Sequence, residues 1–354
     1  MTRTVKPLHP AVAVMVLAVI CLLGSLAFAQ EAESLLLRAE NLAVLPKSKP
    51  ILYVRVANRS NGPIATTLSV DVPSSWRISK LSRDVELAAS EEARLGFPVA
   101  EGDVKSSNSY PITMTAQCKR RRFVREQEIA VASAPYFTPT IDGDPSDWKD
   151  AIPVTFSQGD KKTTIATYWN RRQFSILVSV EEDKYVPRGA AHRFDAVQVA
   201  LAPRGTATGH SVDEDANRFE YLVFGTLEER DGCCQLARPG VSLAEVARPR
   251  SLNPLMYDKA EVAIKRAGGV THYEFSLPLA SVRDYIRPSE GREFYFSVLV
   301  HDPDGTGIRD WGVEAGLWES QRNRLAWSDW EGAQWDDVPP MDCRTQWGMC
   351  SSKY

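Results

Sequence analysis

The 354-residue chain has no Gly-x-Ser-x-Gly elbow, no phosphate-cradling glycine loop and no His-Glu-x-x-His pair, and with them go the commonest serine hydrolase, nucleotide and zinc-protease sites. Strong charge of either sign is also missing. Lys and Arg number 42 against 45 Asp and Glu, for a net charge of −3, which argues against nucleic acid, since binding to phosphate normally needs a concentrated basic face. One basic cluster stands out, Lys119-Arg-Arg-Arg122; it separates two strand-like segments and reads as a solvated hairpin turn. Of the six cysteines five follow residue 30, and none sits in the spaced Cys/His pairs of a zinc site. After the first thirty residues no apolar run is long enough to span a membrane.

The N-terminus carries Arg3 and Lys6, an apolar run from Ala11 to Ala27, and Ala27-Phe-Ala29 before Gln30. That is the charge, core and small-residue order of a secretory signal, so residues 1–29 are expected to be removed and the protein to be secreted, periplasmic or held at the cell surface. Cys21 follows Ala18-Val-Ile20, a poor lipoprotein cleavage site. Export permits disulfides: Cys343 and Cys350 are close enough to staple a C-terminal tail over 341–354, whereas the adjacent Cys233 and Cys234 are not expected to bond each other, and the odd count leaves at least one thiol over.

The body of the chain is patterned for β-structure. Ile51–Val56, Thr67–Val72, Arg94–Val99 and Tyr110–Thr115 are β-branched or alternating runs, separated by turn signals at Asn61-Gly-Pro63 and Pro73-Ser-Ser75. About a hundred residues with this rhythm predict a β-sandwich over 30–134. Ser133–Thr140, with two prolines, marks a short, partly stiffened junction. Strands follow at Thr163–Trp169 and Gln173–Val180, around an Asn170-Arg-Arg172 turn, and at Ala196–Leu201, Phe219–Phe224, Thr271–Leu277 and Glu293–Val300. Their alternation predicts one face in the core and one wet. Leu279–Ile286 reads as a short helix, and Glu228–Pro254 as a long loop excursion.

Two resemblances follow from the order of these motifs. Val56-Ala-Asn58 closing one strand and Val72-Pro-Ser-Ser-Trp76 following another resemble the immunoglobulin-like domains that accompany bacterial glycosidase modules. From residue 136 to 336 the order is Ile141-Asp-Gly-Asp-Pro-Ser-Asp-Trp148, Tyr168-Trp169, Phe174–Val180 with Glu181-Glu-Asp183 at its end, and Arg193-Phe-Asp195. Phe275-Ser-Leu-Pro-Leu279, Phe296–Val300, His301-Asp-Pro-Asp-Gly305 and Arg324-Leu-Ala-Trp-Ser328 complete it. This order resembles the family-9 carbohydrate-binding modules and their DOMON-like relatives. The resemblance implies an all-β protein with a second β-sandwich over 135–340, structural calcium, and, in some members, a sugar end held between tryptophan rings. It makes an exported, non-catalytic carbohydrate-binding protein acting beside polysaccharide-degrading enzymes the leading expectation.

Sugar rings stack their C–H faces on aromatics while their hydroxyls take amides, carboxylates and guanidinium groups. On that basis the candidate carbohydrate-binding residues are Trp169, Trp311, Trp318, Arg322, Asn323, Trp327 and Trp330; Trp148 reads instead as a plug at one end of the sandwich. Asp142 and Asp144, and Asp302 and Asp304, place hard oxygen donors at alternating positions suited to calcium, and equally suited to capping turn amides. Glu181 and Glu182 do not converge on one glycosidic bond, because neighbours on a strand point to opposite faces. Two other readings stay open: a cell-surface protein-interaction module that has lost its sugar slot, drawn from the 228–254 excursion and the odd cysteine, and a haem protein using Met256 and His272 as axial ligands.

Overall fold

The structure is a computed structural model; it describes residues 34–119, 121–191, 193–203, 218–227, 230–241, 251–286, 291–316, 325–326, 334–335 and 345–350. The expected signal segment, 1–29, lies outside them. The first eight strands are β1 (Leu35–Ala39), β2 (Ile51–Asn58), β3 (Ile64–Asp71), β4 (Arg77–Ile78), β5 (Ser82–Leu87), β6 (Glu92–Glu101), β7 (Tyr110–Cys118) and β8 (Arg121–Ile129). They form two four-stranded sheets, ordered β1-β2-β6-β4 and β5-β3-β7-β8.

Alternation decides which side chains enter the core between these sheets. In β7, Tyr110, Ile112, Met114 and Ala116 are buried, and in β3 so are Leu68 and Val70. Each of the larger apolar side chains among them, such as Ile112, Met114, Leu68 and Val70, contributes roughly 1.5–3 kcal/mol on leaving water. Trp76 closes one end against Tyr110, with ring centroids 5.0 Å apart. Lys119 lies in the β7–β8 turn, as its charge predicts, with Cys118 paired to Arg121.

The remaining strands are β9 (Ser133–Ala134), β10 (Val154–Gln158), β11 (Lys161–Trp169), β12 (Gln173–Glu181), β13 (Ala196–Pro203), β14 (Phe219–Phe224), β15 (Gly232–Ala237), β16 (Glu261–Ala267), β17 (Val270–Pro278), β18 (Glu293–Asp302), β19 (Gly307–Asp310), β20 (Leu325–Ala326), β21 (Gln334–Trp335) and β22 (Thr345–Met349). A five-stranded sheet, β10-β11-β12-β17-β16, faces a seven-stranded sheet, β15-β14-β13-β18-β22-β9, on which β19 pairs with β18 at the side. The protein is therefore all-β, with its larger core between these two sheets. Asn170 makes the expected β11–β12 turn by accepting from the amides of Arg172 and Gln173.

Three details depart from the sequence pattern. The outward side of β13, β14 and β18 is not wet. Phe194, Ala196, Leu222, Phe224, Cys234 and Leu236 form a second apolar cluster there. Beside it, Gln198 donates to Glu220 at 3.1 Å and meets the His301 ring at 3.1 Å. These polar residues mimic a solvated face in sequence, yet mutual hydrogen bonds allow them to be buried. The expected 228–254 excursion contains β15, which pairs with β14 and places Cys233 in the main core. Thr345–Met349, expected in a tail, is a wholly buried strand between β18 and β9, with Trp347 at 0 % exposure.

The two halves meet through polar locks. Asn108, in the left-handed region at φ 48, exchanges two bonds with the backbone of Val131 and donates to the Pro153 carbonyl. Arg94 donates both to Glu40 and, at 2.7 Å, to Gln346 of β22.

Candidate functional site

Three strand ends bring Glu182, Asp195 and Asp302 together at one rim of the larger core. Glu182 follows β12, Asp195 precedes β13 and Asp302 ends β18; one carboxylate oxygen from each lies within 4.8 Å of the others, and all three side chains are buried. Alternation sends Glu182 inward while Glu181 turns out to accept from the Lys162 amide.

Each carboxylate is held from one side. Glu182 Oε1 accepts from the Thr271 hydroxyl and from Arg266. Asp195 Oδ2 accepts from the Val186 amide, and the Asp195 amide donates back to the Val186 carbonyl. Asp302 Oδ2 accepts from the Thr306 amide at 2.9 Å, the Thr306 hydroxyl at 2.8 Å and Arg309 at 2.8 Å. Arg309, itself 0 % exposed, also donates to the Lys162 and Glu181 carbonyls and to Thr163. One guanidinium thus ties the ends of β11 and β12 to the β18–β19 hairpin, a task that suits its rigid fork of donors.

The second oxygens remain: Glu182 Oε2 and Asp195 Oδ1 are buried with no hydrogen-bond partner. Leaving a buried charged acceptor unmet costs more than the roughly 1–3 kcal/mol of a neutral group. The electrostatics agree. Burial, with the like charge of Asp302, pushes Glu182 up to about 7 against the counter-effect of Thr271, Arg266 and Arg309, and burial, with the charges of Glu182, Asp304 and Asp302, pushes Asp195 up to about 8 against the Val186 amide. Asp302 is also buried, but the Thr306 amide and Arg309 outweigh that and hold it below the ordinary aspartate value. Carboxylates fixed by protein donors, with one oxygen of each within 4.8 Å of the others, form a group that could hold a metal ion, the donors acting as its supporting shell. The orphaned oxygens are what a bound cation satisfies, and the all-oxygen donor set suits a hard one. The three carboxylates are placed to hold a metal ion.

Of the four aspartates proposed from sequence, only Asp302 joins this cluster. Asp304 is at its lip, paired with Lys184 at 3.6 Å. Asp142 accepts from the Asp144 amide at 2.8 Å, and Asp144 caps the following 3-10 turn by accepting from the Ser146 amide at 3.0 Å. These two serve the turn, whose Gly143 sits at φ +79 with Lys265 against the place where a Cβ would lie. The turn is fastened to the sheet by Glu274 of β17, which accepts from the amides of Asp142 and Gly143 and, at 2.7 Å, from the Trp148 indole. Trp148 stacks on Tyr168 at 4.9 Å, which makes it a packing residue.

Trp169 is in the core, 7 % exposed, its indole donating to the Cys350 carbonyl at 2.7 Å. Trp311, at 3 % exposure, donates to the Thr345 hydroxyl at 3.0 Å and packs on Phe156. Neither ring presents a face for a sugar. Trp318, Arg322, Asn323, Trp327 and Trp330 lie outside the described residues; β20 pairs antiparallel with β21 on either side of Trp327 and Trp330 in sequence. The haem pair is split between sheets: His272 on β17 contacts Ser179 at 2.9 Å, while Met256 bridges Cys234 of β15.

Glu182 and Asp195 were both legible as acids beside strands, but nothing local in sequence aligns the ends of β12, β13 and β18. No protein-family model and no curated protein matches the chain. Among solved structures it is similar to a family-9 carbohydrate-binding module from Caldicellulosiruptor kristjanssonii in complex with cellotriose, at 12 % identity over 62 % of this chain and 93 % of that one, with a TM-score of 0.39. The same source gives a module in complex with glucose, at 11 % identity over 62 % and 95 %, with a TM-score of 0.35. Nothing about a ligand follows from similarities this distant.

Proposed function

We propose that this is an exported, non-catalytic binding protein whose second β-sandwich binds the ends of poly- or oligosaccharides, with a structural calcium ion in the Glu182–Asp195–Asp302 pocket and the first, immunoglobulin-like sandwich as spacer or docking module. The observation that carries the reading is where the ordered motifs fall. The Ile141–Trp148 turn, Tyr168-Trp169, Phe174–Val180, Phe275–Leu279 and Phe296–Asp302 occupy one sandwich, and β11, β12 and β17 are direct neighbours within it. In the first sandwich, β1-β2-β6-β4 and β5-β3-β7-β8 are two packed antiparallel sheets, and this supports the immunoglobulin-like reading. With Trp169 and Trp311 committed to the core, the sugar contacts fall to Trp318, Trp327, Trp330, Arg322 and Asn323.

Calorimetric titration of the protein with cellobiose, xylobiose and glucose, in calcium and then in chelator, tests the proposal. Binding with at least one sugar is expected, and its loss in Trp327→Ala. Heat from none of the three, with the protein folded and calcium present, rejects carbohydrate binding and leaves the protein-interaction reading.

A further inference from the structure

Beyond the three carboxylates, one more polar group is buried beside the pocket. Tyr273 of β17 is 0 % exposed, and its hydroxyl has no hydrogen-bond partner. It stands two residues from Thr271, opposite Val178, where Thr271 is opposite Val180; the two therefore share the inward face of β17. Thr271 already donates to Glu182 Oε1. The next inward position on the same strand brings a phenol within electrostatic reach of Glu182, Asp195 and Asp302, which, after burial itself, raise its ionisation well above that of a free tyrosine. The ring is fixed by the core and by an edge contact with Tyr185, centroids 6.3 Å apart.

A neutral buried hydroxyl with no protein partner, on the same inward face of β17 as the Thr271 that holds Glu182, is matched by an oxygen ligand carried on the ion. Three side chains fall short of the six to eight oxygens that calcium takes, and the balance of such shells is commonly water. We propose that Tyr273 is a positioning residue of the cation site, its hydroxyl hydrogen-bonding a water molecule of the bound ion's shell. This rests on the reading that the Glu182–Asp195–Asp302 pocket holds a divalent cation. Supporting residues of this kind set metal affinity about 10–100-fold without touching the ion.

The test compares the full chain with Tyr273→Phe and Glu182→Gln, each stripped with chelator and titrated with calcium chloride by calorimetry, and with thermal midpoints recorded in calcium and in chelator. The unaltered protein is expected to bind calcium and Glu182→Gln to lose it. Tyr273→Phe, which keeps the ring, is expected to bind roughly tenfold more weakly, to keep its midpoint in chelator, and to lose part of the calcium-induced rise. Equal affinity for Tyr273→Phe and the unaltered protein overturns the role of Tyr273 while leaving the cation site in place. Equal drops in midpoint with and without calcium also overturn it, since that result marks packing alone. No calcium binding by the unaltered protein removes the cation site and the proposal together.

Discussion

Glu40→Gln is the most informative single change at the junction of the two halves. Glu40 is 3 % exposed and accepts from Arg55 Nε at 2.6 Å and from Arg94 Nη2 at 2.7 Å, while Arg94 also lies over the Tyr53 ring at 3.3 Å and reaches Gln346. Burial by itself raises the Glu40 carboxyl, but the hydrogen bond from Arg94 and the charges of Arg38, Arg55 and Arg94 outweigh it and hold the group below its ordinary 4.5. The amide keeps the shape and removes the charge. Breaking one side of a buried ion pair costs about 3–5 kcal/mol, and partial exposure of the arginines, 12 % and 23 %, reduces that to about 2–3 kcal/mol here. The pH dependence has a definite sign. A depressed carboxyl contributes stability above its unfolded value of 4.5 and loses it as pH falls toward the folded value. Urea unfolding at pH 7 is therefore expected to show the full deficit, and the gap between the two proteins is expected to narrow steadily below pH 4.5. Equal stabilities at pH 7, or a gap that does not change on acidification, refute the reasoning.

Two other changes probe the second sandwich. Trp148→Phe retains an aromatic ring over Tyr168 but withdraws the indole donor from Glu274; a hydrogen bond to a charged group contributes about 1.5–3 kcal/mol, and denaturant unfolding is expected to show a loss of that size. Trp347→Ala empties a fully buried site on β22 and removes the indole bond to Thr167 at 3.0 Å. A loss of about 3–5 kcal/mol is expected, read as an earlier unfolding transition; a loss under about 1 kcal/mol contradicts the central placement of this strand.

Strands whose sequence carries strict alternation or a clear turn were legible: β7 with Tyr110, Ile112 and Met114 facing inward, and the β11–β12 hairpin, whose Asn170 has the chemistry of a turn residue. What escaped was set by contacts distant in sequence. Gln198 and Glu220 read as a solvated face because their partners lie on neighbouring strands. Thr345–Met349 is too short and too mixed to announce a central strand, and becomes one only because β9 and β18 leave a slot for it. The acidic site shows the same division. Strand alternation was enough to separate Glu181 from Glu182, but only the register of β12, β13 and β18 unites Glu182 with Asp195 and Asp302. Asp142 and Asp144 have the right spacing for a metal loop; a nearby glutamate on β17 and two local amides give that loop another occupation.

The position of β22 has a kinetic side. Gly348 pairs in parallel with Ser133, and Phe296 pairs with Thr345 across the other edge of the same strand, so the seven-stranded sheet joins segments from opposite ends of the second sandwich. Such a pairing closes one of the largest loops available to the polypeptide before it yields any contact energy, and topologies dominated by it fold slowly. Until that strand arrives, the backbone edges of β18 and β9 stay open to any extended peptide that meets them. The second sandwich is thus a late-closing structure, for which the interval between synthesis and completion of the sheet is the period of greatest exposure to mispairing.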